Sequence, residues 1–156
     1  MLKVQDIMTS TVVTISPETT VRETMEALAT NHLSGVPVVV RDKVVGVVSM
    51  TDILNFMVTA PQRKSGEIEK PVDQTTAADL MTDEIFSVRS TSSIRSAAAL
   101  MQKRGIHRVL VIDDGKLLGI VSALDIARVV SEKGLPGKTG VKRDPCADKP
   151  SPWITL

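Results

Sequence analysis

The sequence predicts a mixed α/β (α+β) fold of two like units packed sheet to sheet about a pseudo-two-fold axis, and three observations carry the prediction. Residues 4–57 align with residues 77–130 without a gap, each position meeting the one 73 later. Twelve of the 54 pairs are identical, and most others keep their character: Val21 meets Ile94, Ile7 meets Leu80 and Val44 meets Leu117. Within each copy the apolar spacing switches from helical to strand-like and back. Two copies are too few for a solenoid, so each unit must bury its apolar face against the other. Packing of this kind leaves clefts between units, where small ligands usually bind.

Each unit reads as a short leading helical segment followed by β-α-β-β-α. The openings are Val4-Gln5-Asp6-Ile7-Met8-Thr9 and Ala78-Asp79-Leu80-Met81-Thr82, and each leads to a first strand expected near Val12–Ile15 or Ile85–Val88. Thr20-Val21-Arg22-Glu23 then fits a capping box, in which a hydroxyl and a carboxylate satisfy opposite free N–H groups of a helix start. Val21, Met25 and Leu28 follow at helical spacing, and Ile94, Ala98 and Met101 repeat the stripe. Two β-branched runs come next, Val36–Val40 and Val44–Val48, separated by Arg41-Asp42-Lys43; Asp113-Asp114-Gly115-Lys116 holds the same place in the second copy, with the glycine that tight hairpins favour. Runs so rich in Val and Ile are expected to be covered on both faces. A last helix, Thr51–Met57 or Leu124–Val130, starts directly after a strand that ends in Ser.

Four segments result: the units 4–57 and 77–130, a polar linker 58–76, and a tail 131–156 rich in Pro and Gly. The tail lacks periodicity, and Trp153, the only Trp of the chain, is its obvious anchor. With 156 residues, 42% of them hydrophobic, the chain is long enough to bury roughly 70% of its unfolded surface. A formal charge of +1 and the lack of a run of five or six like charges argue against nucleic acid and anionic membranes as partners. The apolar runs are too short to span a bilayer, and the first six residues do not form a secretory signal, so a cytoplasmic location is expected. Cys146 is the single cysteine, which rules out an internal disulfide, and with only His32 and His107 beside it a structural zinc site lacks ligands.

The chemistry concentrates in one matched pair, Gly46-Val47-Val48-Ser49-Met50-Thr51-Asp52-Ile53 and Gly119-Ile120-Val121-Ser122-Ala123-Leu124-Asp125-Ile126. A hydroxyl that leaves a strand and opens a helix, with a carboxylate three residues on, suits a sugar diol and a phosphate. The carboxylate accepts from two ribose hydroxyls while the hydroxyl and the helix N–H groups face the phosphate. The same pattern is also ordinary helix capping. Its recurrence at one place in both copies favours a site.

The D-I-M-T and D-L-M-T openings, the S-G-V-P-V-V and H-R-V-L-V-I strands, and the two G-h-h-S-x-x-D-I endings (h, an apolar residue) resemble the paired cystathionine β-synthase (CBS) domains, the Bateman module. About four-fifths of the chain is covered, with the motifs in the right order twice. The resemblance implies a non-catalytic regulatory module. Its ligand would be an adenosine-containing molecule such as AMP, ADP, ATP or S-adenosylmethionine, sometimes NAD or a cyclic dinucleotide, held between the two domains. It implies no required cofactor, a disc-shaped homodimer, and regulation of an attached or separate protein. Carried over, the ribose carboxylates are Asp52 and Asp125, and Ser49 and Ser122 hold the hydroxyl position. Thr51 adds a hydroxyl that Leu124 lacks. The adenine walls are Met8, Val13 and Leu33 in one copy and Met81, Phe86 and Ile106 in the other; plain core packing is the competing role for each. His107 and Arg108 stand where relatives carry phosphate-binding residues, opposite Ser34 and Gly35 of the first copy, although Leu110 replaces the usual Pro. One cleft is therefore expected to tolerate phosphate best.

Two other functions compete. A ligand-independent dimerisation or scaffold module would act through its surface and tail. An enzyme built on His107, Ser122 and Asp125 has only residue types in its favour, because nucleophile-elbow, Walker and dinucleotide-binding motifs are missing.

Overall fold

The computed structural model describes residues 2–59 and 72–133. A 3₁₀ turn at Val4–Asp6 precedes α1 (Val21–Thr30), β1 (Gly35–Val40), β2 (Lys43–Ser49) and α2 (Met50–Thr59). The second copy supplies α3 (Ala77–Leu80), β3 (Ser87–Val88), α4 (Ile94–Arg104), β4 (Arg108–Asp113), β5 (Lys116–Ser122) and α5 (Ala123–Lys133). The strands run in the order β1-β2-β5-β4-β3, and the two hairpins meet edge to edge at Lys43 and Lys116. The two-unit α/β architecture is thus present, with both halves sharing one five-stranded sheet. The tail beyond Lys133, with Trp153, and the linker stretch 60–71 lie outside the described residues.

Local chemistry explains the elements. Thr20 and Glu23 form the capping box: the Thr20 N–H donates to Glu23 Oε2 at 2.8 Å and Thr20 Oγ1 accepts from the Glu23 N–H at 3.2 Å. Ser93 caps α4 alone, and Gly105 ends it in the left-handed region at φ 64°. Both hairpins turn on two residues of positive φ, Arg41 and Asp42 in one, Asp114 and Gly115 in the other, which matches the twist of the flanking strands. Each hairpin carries an irregularity at the same place, Val38/Val39 and Val111/Ile112. The centres of β1 and β4 are buried at three successive residues, as the Val-rich runs predict, whereas β2 and β5 alternate between buried and half-buried positions.

The first strand departs from expectation. Val12–Ile15 is reduced to a single parallel bridge from Ile15 to Val38, and the predicted Ile85–Val88 shrinks to Ser87–Val88. The two copies differ because of one missing donor. The Leu110 N–H donates to the Phe86 carbonyl at 3.1 Å, but the matching position in the first copy is Pro37, which has no N–H to offer Val13.

The openings cross over between copies. Val4, fully buried, sits in the core of the second half with Ala97, Met101, Val109, Val111 and Val121. Ala77 sits in the core of the first half with Ile15, Val21, Leu28, Val36, Val38, Val48 and Ile53. Backbone pairs fix the exchange: Thr9 with Ile120 at 2.9 and 3.0 Å, and Thr82 with Val47 at 2.9 and 3.0 Å. Glycine permits the close approach. A Cβ at Gly119 would fall 2.7 Å from the Thr9 carbonyl oxygen, and one at Gly46 would fall 2.7 Å from Met81 Sδ.

Candidate functional site

Because β2 ends at Ser49 and α2 begins at the next residue, the motif Ser49-Met50-Thr51-Asp52 occupies the first turn of a helix, and Ser122-Ala123-Leu124-Asp125 does so on α5. The Ser49 N–H and hydroxyl both donate to Asp52 Oδ2, at 2.7 and 2.6 Å, and Ser49 Oγ accepts from the Asp52 N–H at 3.2 Å. Ser122 and Asp125 repeat this at 2.8, 2.6 and 3.2 Å. One oxygen of each carboxylate therefore serves as a cap, so helix capping and a ligand role compete only for the other. Among the described residues, Asp52 Oδ1 has no partner, whereas Asp125 Oδ1 accepts from Arg128 Nη2 at 2.6 Å.

A cleft of about 430 Å³ opens between the halves. It gathers Ser34, Ser49 and Thr51 from the first copy with Phe86, Ile106, His107 and Arg108 from the second. Phe86 and Ile106 thus share a cleft with the helix start of the other copy, at Ser49 and Thr51. Arg108 bridges the halves, its Nη1 donating to Ser34 Oγ at 3.1 Å. The volume falls in the range of ordinary small-molecule sites, and apolar walls with a few convergent polar groups are their usual make-up.

Other predicted site residues lie elsewhere. Asp52 borders a hollow of about 250 Å³ with Asn55, Phe56, Thr59, Asp79 and Leu80, next to the cleft that Thr51 lines. Met8 lies against Gly119 and Met81 against Gly46, each packed beside the core of the opposite half. Val13 and Leu33 pack on the core of the first half. Ser122 and Asp125 stand at the start of α5, beside Leu124, which is 79% exposed.

Sequence reasoning missed several contributors. Glu84 and Thr82 line the cleft beside Arg108. The Arg104 guanidinium lies 4.9 Å from the centre of the Phe86 ring, within cation–π range, and pairs loosely with Glu84 at 3.8 Å. Neither was visible, since residue 104 closes a helix and residues 84 and 86 precede a strand. Arg128 was visible, three residues after Asp125 on the same helix face. Among the described residues, no group of three or more His, Cys, Asp or Glu side chains is arranged to hold a metal, and no helix is long and apolar enough to cross a membrane.

Comparison with known proteins identifies the family and the fold. The family model for the CBS domain matches residues 4–59 and again 77–132. The protein MJ1232 of Methanocaldococcus jannaschii is 33% identical over 133 residues, which cover 85% of this chain and 40% of that protein. The CBS domain-containing protein YhcV of Bacillus subtilis is 30% identical over 127 residues, covering 81% of this chain and 84% of its own length. The chain thus spans well under half of the first relative and most of the second. A solved structure of CBSX2 in complex with AMP superposes with a TM-score of 0.72 at 29% identity, covering 85% of this chain and 98% of that one. With both copies matched and the paired architecture in place, the chain belongs to the CBS domain family.

Proposed function

We propose that the chain is a non-catalytic regulatory module that binds an adenosine-containing ligand, with AMP the leading candidate, in the cleft between its halves. The observation that carries this reading is the convergence of Ser49 and Thr51 from one half with Phe86, Ile106, His107 and Arg108 from the other around one cleft, with Asp52 hydrogen-bonded to Ser49 at its border. The adenine lies against Phe86 and Ile106, the ribose hydroxyls donate to Asp52 Oδ1, and the phosphate takes Arg108 and His107 as partners. The AMP complex of CBSX2 supports the choice of ligand. Met81, Val13 and Leu33 pack on the core of the first half and Met8 on that of the second, so on this reading they support the adenine walls from behind.

Regulation follows from Arg108. In the free protein its guanidinium is hydrogen-bonded to Ser34 across the halves, and a phosphate competes for the same donors. A ligand that replaces that contact favours a different angle between the halves, and about 1–3 kcal/mol of such preference suffices for control of a separate partner in the cytoplasm. S-adenosylmethionine, whose carboxylate would take the place of the phosphate, is the second ligand of this reading.

A scaffold role has one observation in its favour. Met50, Leu54, Met57 and Val58 recur at helical spacing along α2 and are 37%, 54%, 49% and 65% exposed. An apolar stripe of this kind suits a second copy of the chain, and we assign the homodimer contact to α2. Calorimetric titration with AMP, ADP, ATP, S-adenosylmethionine and NAD, with oligomeric state followed in parallel, separates the two roles. Saturable micromolar binding of an adenosyl compound is expected; a dimer that binds none of them at millimolar concentration would leave only the scaffold.

A further inference from the structure

We infer that each chain uses only one of its two half-sites, because Arg128 occupies the Asp125 carboxylate where a ribose would bind. The inference rests on the nucleotide reading above and adds to it the residue that sets stoichiometry.

Three differences between the copies point the same way. First, Asp125 has both oxygens engaged, Oδ2 by Ser122 and Oδ1 by Arg128 at 2.6 Å, and its side chain is only 15% exposed. The residue matching Arg128 in the first copy is Asn55, and Asp52 Oδ1 lacks a partner among the described residues. Second, Leu124 projects into solvent at the position where Thr51 offers a hydroxyl to the cleft. Third, the residues that match His107 and Arg108 are Ser34 and Gly35, so the first copy supplies no cation of its own at these positions.

A ribose hydroxyl and a guanidinium both make charge-assisted bonds to a carboxylate, but only the guanidinium also brings the opposite charge. A nucleotide at Asp125 would have to break that bond without a hydroxyl at the Thr51 position and without a His–Arg pair at the positions of Ser34 and Gly35. Arg128 is 63% exposed, so shortening it opens no cavity in the core. Substitution at Arg128 therefore reports on occupancy with the fold left in place.

The test is calorimetric titration of the full chain with AMP. The wild type is expected to bind one equivalent per chain, Asp52→Ala to weaken it roughly ten- to hundredfold, and Asp125→Asn to keep both stoichiometry and affinity within about twofold. The double variant Leu124→Thr/Arg128→Asn is expected to raise the stoichiometry from one equivalent to two, the second weaker than the first. Two equivalents in the wild type, loss of the single event in Asp125→Asn, or no second event in the double variant overturns the assignment to Arg128. Weaker binding in Arg128→Asn also overturns it, since that residue would then be a phosphate ligand. A wild type that binds no AMP brings down the nucleotide reading itself, and this inference with it.

Discussion

The two halves share a cap and differ in what surrounds it. Ser49–Asp52 and Ser122–Asp125 superpose bond for bond, with matching distances that agree within 0.1 Å. The neighbours diverge: Thr51 and Asn55 in one half, Leu124 and Arg128 in the other. A repeated motif therefore guarantees a repeated local structure, while the capacity to bind depends on residues outside the motif. The same lesson holds at the first strand of each hairpin, where Pro37 against Leu110 decides whether Phe86-type pairing can form.

The comparison breaks most clearly in a binding experiment. Asp52→Ala removes charge-assisted acceptance from ribose and is expected to weaken AMP binding by about 1.5–3 kcal/mol, roughly ten- to hundredfold, while Asp125→Ala leaves it nearly unchanged. Equal losses in the two variants, read by calorimetry, would make the half-sites equivalent.

Packing sharpens it next. Gly119→Ala drives a methyl against the Thr9 carbonyl, a backbone atom, and should cost about 1–3 kcal/mol in denaturant unfolding. Gly46→Ala meets the end of the Met81 side chain first, with the Thr82 carbonyl at 3.0 Å, so its cost should be the smaller of the two. The reverse order would mean that Met81 cannot give way.

Val4→Ala tests the crossing of the openings. Loss of two buried methyl groups should cost about 1.5 kcal/mol, and amide exchange should quicken in β4 and β5 before β1 and β2, although Val4 belongs to the first copy by sequence. Protection lost first in β1 and β2 would contradict the exchange.

Acid gives the smallest effect. Asp113 accepts from the Ser90 N–H at 3.1 Å and from its hydroxyl, and the first copy carries Val40 and Pro17 instead. The Ser90 side-chain hydrogen bond, then its backbone N–H, hold the Asp113 carboxyl below the usual carboxylate range, with the Arg89 charge assisting. A lowered folded value means that this contribution is present above about pH 4 and fades as pH falls further. Glu23, through Thr20, and Asp73, through Arg22, carry the same sign in the first half. Asp113→Asn should thus flatten only part of the acid dependence of thermal unfolding, and an unchanged slope would show that Asp113 adds nothing.

Much of the fold was legible because it is local. Thr20-Val21-Arg22-Glu23 announces a helix start, and Asp114-Gly115 a turn, from neighbouring residues alone. The crossing of Val4 and Ala77 was not legible, since Thr9–Ile120 and Thr82–Val47 join residues far apart in the chain and leave no periodicity behind. The loss of the Val12–Ile15 strand had a readable signal in Pro37, but its meaning depends on which strand lies alongside. In the site, Arg108 and His107 stood out as departures from symmetry. The engaged Oδ2 of Asp52 and the Arg104 stack on Phe86 depend on rotamers and three-dimensional neighbours, which spacing does not encode.

The crossed openings also mean that neither half is a finished body. A chain cut between residues 59 and 72 would give two fragments, each holding a missing piece of its partner's interior, Val4 on one and Ala77 on the other. Such fragments should be poorly folded alone and regain structure when mixed, and the intact chain should melt in a single transition. Complementation of this kind makes the protein a natural split reporter, whose reassembly could be read out by whatever is fused to the two new ends.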